Sequence, residues 1–309
     1  MLVIVNPGAS AVSAPLERRV LDALGARFAV EAVRTRGPGV ATGRARDATA
    51  QGYDLVVALG GDGTVREVAE GLIGSGTPLA VLPGGATNVF ARLLGLPRDV
   101  LDAVECLLQM AGRLDPGLID TGRANGRTFL FSAGAGLSAS MVERVERRPR
   151  LKARLGRHHF AYAALRTFLG EYLRDPPRVR VEVEGVAIEG VTAIAQNADP
   201  LSFFGSLPLH VAPAAGLETG SLSVSVLERA RITQLVTLLP RLFGRGAAEH
   251  PHVRSIEARA PVRVTALGEP FPLELDGDPQ GSFYALELTV APRSLAILRP
   301  VAGQLRRSA

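Results

Sequence analysis

The sequence holds a single cysteine, Cys106, among 309 residues. No internal disulfide can form, and that usage fits a reducing cytoplasm. Tryptophan is absent and aromatics amount to only 5%. Single-strand nucleic-acid binding depends on aromatic stacking platforms, so no nucleic-acid partner is expected. No apolar run approaches the roughly 18 uninterrupted residues that suggest a membrane span. The start, Met1-Leu2-Val3-Ile4-Val5-Asn6, reads directly as a strand, with no basic leader ahead of an apolar segment, so no secretory signal is expected. The five histidines lack metal-ligand spacing: His158 and His159 are adjacent, and His210, His250 and His252 sit in loop- or strand-like contexts.

What is present suits a folded protein of about two domains. The hydrophobic fraction is 47%, ample for a core, and charged residues make up 21%. Net charge is +5, and a basic surface attracts anionic membranes or charged substrates. Short apolar runs at Leu2–Val5, Phe28–Val33, Leu55–Leu59 and Leu79–Leu82 alternate with amphipathic segments near residues 14–25, 40–50 and 64–74. That alternation predicts a parallel sheet with helices on its faces, a Rossmann-like α/β domain. From about residue 122 strands dominate: Arg178–Val183, Val186–Ala195, Ser221–Leu227, Val253–Ala258, Val262–Ala266 and Phe283–Val290. Helical stretches interrupt them near 136–172 and 231–244, and a C-terminal β-sandwich is expected. The tail Leu305–Ala309 is expected to fray.

The strongest local signal is Gly60-Gly61-Asp62-Gly63-Thr64, directly after a predicted strand. Three glycines let the backbone turn tightly and approach a ligand. Successive N–H groups in such a turn form an anion-binding concavity, and the next helix adds the positive end of its dipole. A carboxylate beside phosphates, here Asp62, suits Mg²⁺ binding or proton transfer. Thr64-x-x-Glu67 also reads as a helix capping box, so Glu67 has two readings, cap or functional group. Pro83-Gly84-Gly85-Ala86-Thr87-Asn88 forms a second glycine turn after the next strand, and Asn6-Pro7-Gly8 follows the first. In an open parallel sheet, ligands bind beyond the carboxyl ends of the strands, so the three turns are expected to line one crevice. Asp276, in Leu273-Glu274-Leu275-Asp276-Gly277-Asp278, stands where a strand runs into a turn; Asp-Gly is also a common hairpin pair.

Taken in order, these pieces resemble the diacylglycerol-kinase-like lipid kinases, a superfamily that includes sphingosine kinases and, more remotely, NAD kinases. The matching pieces are Asn6-Pro7, Gly60–Thr64 with Glu67, Pro83–Asn88, Ile119-Asp120-Thr121-Gly122, the glycine-rich Ser132–Gly136, and Asp276-Gly277-Asp278. The TPTGS-like segment of NAD kinases is missing. The resemblance implies a nucleotide-binding domain at 1–122, completed by 293–309, a lipid-substrate sandwich at 123–292, and an active site between them. It implies that Asn6, Thr35, Gly60, Gly61, Gly63, Thr64, Glu67, Gly84, Gly85 and Asn88 hold ATP. It further implies Mg²⁺ near Asp62, with Asp120 and Asp278 supporting the metal. Asp276 would be the base that takes the acceptor's proton, with the division of that role between Asp62 and Asp276 left open. The implied reaction is transfer of the terminal phosphate to the hydroxyl of diacylglycerol, by an enzyme that is cytoplasmic and peripheral at the inner membrane face; a homodimer is compatible with it.

Four positions depart from the family pattern. Val89, Ser138 and Thr219 stand where acidic residues are common, and Asp278 replaces a Glu. Glu143–His159 mixes seven basic residues with apolar ones, a composition suited either to an anionic bilayer or to a solvated helix face. Phe203-Phe204 reads as a loop that covers a lipid, dips into the membrane, or is buried in the sandwich. Three rival readings remain: another lipid alcohol as acceptor, a non-catalytic lipid or nucleotide sensor, and a basic nucleic-acid-binding protein.

Overall fold

The computed structural model describes residues 1–110, 115–146, 177–229 and 231–300. It resolves into two compact units, Met1–Ile119 with the return segment from Arg293, and Asp120–Pro292. The first boundary falls inside a strand that also contains residue 122, where the sequence placed it.

The first unit is α/β. Its order is β1 (Leu2–Val5), α1 (Ala14–Gly25), β2 (Glu31–Arg34), α2 (Val40–Ala50), β3 (Val56–Gly60), α3 (Asp62–Leu72), β4 (Leu79–Pro83), α4 (Val89–Leu93) and α5 (Val100–Met110). Strands β1 to β4 pair in parallel in the order β2-β1-β3-β4. The return segment adds beside β4, with Ile297 opposite Leu79. β1, β3 and β4 are buried throughout, as central strands of a parallel sheet covered on both faces must be. Their outward side chains pack with Val20 and Leu24 of α1 and with Val100, Ala103, Val104 and Leu107 of α5. Helix α1 starts at Ser13, whose Oγ accepts from Leu16 N–H, with proline in the first turn. The strand expected at Phe28–Val33 lies instead at Glu31–Arg34. Phe28 N–H bonds back to Leu24 O, so Phe28 closes the end of α1, and β2 is an exposed edge.

The second unit is antiparallel. It contains β5 (Gly117–Ala124), β6 (Arg127–Phe129), β7 (Ser132–Gly136), α6 (Leu137–Glu146), β8 (Val179–Val183), β9 (Val186–Gly190), β10 (Thr192–Gln196), β11 (Ser202–Phe204), β12 (Leu207–Leu209), β13 (Leu222–Leu227), α7 (Ile232–Leu242), a 3-10 turn at Ala247–Glu249, β14 (Val253–Ala258), β15 (Val262–Ala266), β16 (Phe271–Leu275), β17 (Asp278–Phe283) and β18 (Ala285–Ile297). One sheet runs β14-β13-β10-β7-β16-β17, and β18-β15-β8-β9 form a second. Inward residues from both sheets share one core, including Val224, Phe271 and Leu273 from one and Val181, Val264 and Leu286 from the other. This is a sandwich. The strand read at Val186–Ala195 is really two, β9 and β10, which belong to different sheets. The chain crosses at Gly190, where a Cβ would meet Val226 Cγ1 at 2.5 Å and Leu227 O at 2.6 Å. The glycine-rich Ser132–Gly136 is a fully buried strand. β18 runs past the expected Val290 and carries the chain back into the first unit.

No helix among the described residues is long and apolar enough to cross a membrane. Most of the basic stretch Glu143–His159, the remainder of the helical reading at 136–172, and the tail Leu305–Ala309 fall outside the described residues.

Candidate active site

The parallel order of β1, β3 and β4 brings their carboxyl ends, and the turn after each, to one edge of the first unit. Asn6 N–H donates to Leu59 O (2.9 Å), and Asn6 Nδ2 donates to Thr64 Oγ1 (2.9 Å). Asn6 Oδ1 accepts from Gly8 N–H, which closes its own turn. Thr35 follows β2 at the same edge, its N–H donating to Val5 O (2.8 Å). The two glycine turns touch backbone to backbone. Gly84 N–H donates to Gly60 O (2.8 Å), and a Cβ on Gly85 would lie 2.7 Å from Gly61 Cα. A Cβ on Gly60 would meet Thr64 Cβ at 2.7 Å, and one on Gly84 would meet Gly60 Cα at 3.0 Å. These glycines are dictated by close approach, since only hydrogen fits between the two turns.

Helix α3 begins at Asp62, not Thr64. Its first intrahelical bond is Val65 N–H to Gly61 O (3.1 Å), so Gly63 and Thr64 belong to the opening turn, whose N–H groups have no helical acceptor. This overturns the capping box. Gly61 is the N-cap without a side-chain bond, and Glu67 sits more than a turn inside the helix, with its carbonyl accepting from Thr42 Oγ1 (2.9 Å).

Asp62 reaches across to the second turn. Its Oδ2 accepts from Val89 N–H (3.0 Å) and its Oδ1 from Phe90 N–H (2.9 Å), so this carboxylate caps α4. Asn88, in the left-handed region (φ 48°), closes the turn by exchanging bonds with Gly85: Gly85 N–H to Oδ1 at 2.7 Å and Nδ2 to Gly85 O at 2.8 Å. Beside this turn lies a cavity of about 230 Å³ lined in part by Gly85, Thr87, Asn88, Arg92 and Arg98. Burial and the nearby Arg98 charge lower the Arg92 pKa from its ordinary value. Neither arginine was singled out from the sequence, where no motif marks them.

In the second unit, Asp276 is buried and held by three backbone donors. Oδ2 accepts from Leu130 N–H (2.8 Å), and Oδ1 from Phe131 N–H (2.9 Å) and Ser132 N–H (3.1 Å). Asp276 and Gly277 both have positive φ (51° and 82°), the conformation that a two-residue hairpin turn requires. The two readings of Asp-Gly therefore coexist: the turn joins β16 to β17 and aims a carboxylate at the start of β7. Glu274, also buried, accepts from Gly277 N–H (2.8 Å), and Gly134 of β7 leaves room for it, since a Cβ there would meet Glu274 Oε1 at 2.4 Å. Asn197 Nδ2 donates to both Asp120 O and Leu130 O, and its N–H donates to Phe131 O. Glu274 and Asn197 thus brace the loop that holds Asp276. Sequence reading gave neither this role; the partners of Asn197 lie 67 and 77 residues away in the chain.

Asp120 is buried, its Oδ2 accepting from Gly220 N–H (2.6 Å). Asp278 opens β17 and is half-buried. Among the described residues no three His, Cys, Asp or Glu side chains gather as a metal-holding set, so Asp120 and Asp278 are not part of one. Asp62, beside the glycine turns, fits the single-carboxylate arrangement that Mg²⁺ takes when substrate phosphates and water complete its shell.

A family profile of the diacylglycerol kinase catalytic domain matches residues 1–119, and one of the YegS C-terminal NAD kinase beta sandwich-like domain matches residues 132–299. The chain is 31% identical to a diacylglycerol kinase of Bacillus subtilis over 78% of its own length and 76% of that protein. It is 33% identical to a Pseudomonas aeruginosa protein named "Probable lipid kinase YegS-like", covering 84% and 82%. Two Bacillus anthracis crystal structures share the fold. One superposes with a TM-score of 0.76 at 23% identity, covering 97% of this chain and 95% of the other. The second, a diacylglycerol kinase, gives 0.70 at 20%, covering 97% of both chains.

Proposed function

The chain belongs to the diacylglycerol-kinase family of lipid kinases, and from that premise we propose that it transfers the terminal phosphate of ATP to the hydroxyl of diacylglycerol, giving phosphatidic acid. The chain is thus a lipid kinase; diacylglycerol as acceptor and the residue roles below are our reading. The observation that carries it is the backbone-to-backbone contact of the two glycine turns, Gly85 against Gly61, at the carboxyl edge of the parallel sheet. Phosphoryl transfer asks a protein mainly for positioning and charge stabilisation, and a paired glycine cradle supplies N–H groups for phosphate oxygens at close range.

In this reading Gly60, Gly61, Gly63, Thr64, Gly84 and Gly85 cradle the phosphates. Asn6 positions the Thr64 hydroxyl, Thr35 and Asn88 shape the rim, and Asp62 holds the second turn in place through α4. Mg²⁺, when bound with the nucleotide, would neutralise phosphate charge, with Asp62 as its protein ligand. Asp276 accepts the proton of the attacking hydroxyl. Three N–H donors orient and stabilise its carboxylate, and the loose transition state needs little nucleophile activation. Glu67, placed inside α3, has no part in this reading.

The test separates the two units. Asn6→Ala is expected to raise the KM for ATP, while Asp276→Asn abolishes turnover with nucleotide affinity retained. Full activity in Asp276→Asn would remove the base from the scheme.

A further inference from the structure

Helix α7 of the second unit has its polarity turned outward. A surface helix ordinarily buries an apolar stripe and shows polar residues to water. In α7 the inward positions carry Gln234, which is buried and accepts from Arg231 N–H, and Leu238, which packs on the cluster of Leu137, Val191, Leu227 and Val253. The opposite face carries Val236, Leu239 and, one residue past the helix, Phe243, exposed by 66%, 51% and 45%. Pro240 lies on the same face.

The apolar surface continues onto a neighbouring element. The β11–β12 hairpin stands outside the sandwich core. Phe204 packs edge-on against Phe243 with ring centroids 6.4 Å apart, His210 N–H donates to Leu242 O, and Leu207 is 55% exposed. The Asp199–His210 contact at 2.5 Å pins the base of the hairpin. Phe203 and Phe204 thus belong to this separate hairpin and not to the sandwich core.

The charge around the patch is predominantly positive. From residue 228 to 249 the sequence holds four arginines, Arg229, Arg231, Arg241 and Arg245, against Glu228 and Glu249. Arg229, Arg231 and Arg245 are exposed. Large apolar side chains on a segment of net positive charge suit an interface where acyl chains meet anionic headgroups. We propose that the outer face of α7 and the tip of the β11–β12 hairpin dock the enzyme on an anionic lipid bilayer. The choice of occupant rests on the lipid-kinase reading and on this charge complementarity.

The experiment is co-sedimentation of the full chain with phosphatidylcholine vesicles, with and without phosphatidylglycerol, needing no turnover. The parent is expected to bind the anionic vesicles and to lose most binding to neutral ones. Leu239→Ser/Phe243→Ser is expected to lower vesicle partition by roughly tenfold or more. Its unfolding midpoint should fall only slightly, because both side chains are about half exposed and the loss is limited mainly to the Phe204–Phe243 contact. Arg245→Glu should weaken binding to anionic vesicles only. Phosphorylation of a short-chain, water-soluble diacylglycerol should continue at the parent rate in both variants. Unchanged partition in the double variant overturns the proposal, and so does a change of oligomeric state with unchanged partition, which would make the face a contact between two copies. Vesicle binding by the parent that the double variant loses, in a protein that phosphorylates no lipid, would leave docking supported and the diacylglycerol reading refuted.

Discussion

Replacing Gly85 and Gly43 by alanine applies one chemical change in two settings within the first unit. Gly43 lies exposed within α2, with open space where its Cβ would go. Alanine there gains helix propensity of about 0.5–1 kcal/mol. At Gly85 the added Cβ would stand 2.7 Å from Gly61 Cα and 2.9 Å from Asn88 Oδ1. The two turns must part by about 0.7 Å to reach the 3.4 Å at which ordinary contact begins. Both neighbours are held, Gly61 by the backbone and Asn88 Oδ1 by its bond from Gly85 N–H, so neither can simply swing away. Overpacking of this kind costs about 1–3 kcal/mol. For a domain of this size, that lowers Tm by roughly 2–10 °C, while Gly43→Ala raises it by roughly 1–4 °C. Parting the cradle also moves the phosphate donors. A misplacement approaching 1 Å costs on the order of a hundredfold in rate, so kcat/KM for ATP should fall by roughly ten- to a hundredfold in Gly85→Ala and stay unchanged in Gly43→Ala. Thermal unfolding and initial rates of phosphate transfer, taken well below both midpoints, check this. Parent-like kcat/KM in Gly85→Ala would show that the paired turns do not bind the phosphates.

Three further outcomes follow from particular contacts. Asp276→Asn keeps an oxygen for Phe131 and Ser132 N–H but turns an amide NH₂ toward Leu130 N–H; the buried donor conflict should cost about 1–3 kcal/mol in denaturant unfolding in addition to the loss of turnover, and an unchanged stability would contradict the three-donor geometry. His250 Nδ1 accepts from His252 N–H (3.2 Å), so Nε2 carries the proton toward Thr237 Oγ1 (2.8 Å), and burial with the Arg241 and His252 charges lowers its pKa from 6.5. A depressed histidine pKa means that the unfolded chain binds the proton first, so this residue's stability contribution is complete above pH 6.5 and is lost as pH falls through the lowered folded value; a His250→Asn variant should flatten that part of the stability–pH profile. Burial raises the pKa of the Cys106 thiol, so a thiol reagent at neutral pH should label it only at the rate of unfolding, and rapid labelling of the native protein would place it at the surface instead.

Much of the first unit was legible because its signals are local. Leu2–Val5 and Leu79–Leu82 are short apolar runs between turn residues, and the helices at 14–25 and 40–50 carry their own periodicity. Other features depend on distant neighbours. Ser132–Gly136, noted in the sequence only as glycine-rich, is a central strand in which Gly134 leaves room for the Glu274 side chain. The break within Val186–Ala195 follows from Gly190 pressing on β13, which no local pattern announces. Thr64-x-x-Glu67 matched a capping box by composition alone, while the helix starts two residues earlier.

The site shows the same division. The glycine turns were visible as motifs, and the parallel order of the strands brings them to one edge. Asp62 read as a chemical group, and its role in capping α4 depends on Val89 and Phe90, 27 and 28 residues away. Asp276 read as either a turn or a carboxylate with a task, and the left-handed backbone with three N–H donors makes it a turn that also presents a carboxylate. The inverted face of α7 was hidden because apolar residues in a helix read as core until their exposure is known.

The most direct measurement is transfer of labelled terminal phosphate from ATP, with Mg²⁺ present, to diacylglycerol, a sphingoid base, ceramide and a glycolipid in mixed micelles. Labelled phosphatidic acid, formed by the parent and absent with Asp276→Asn, is the predicted result. Nucleotide binding without label in any lipid would contradict the kinase reading, and label in another lipid alcohol alone would contradict diacylglycerol as the acceptor.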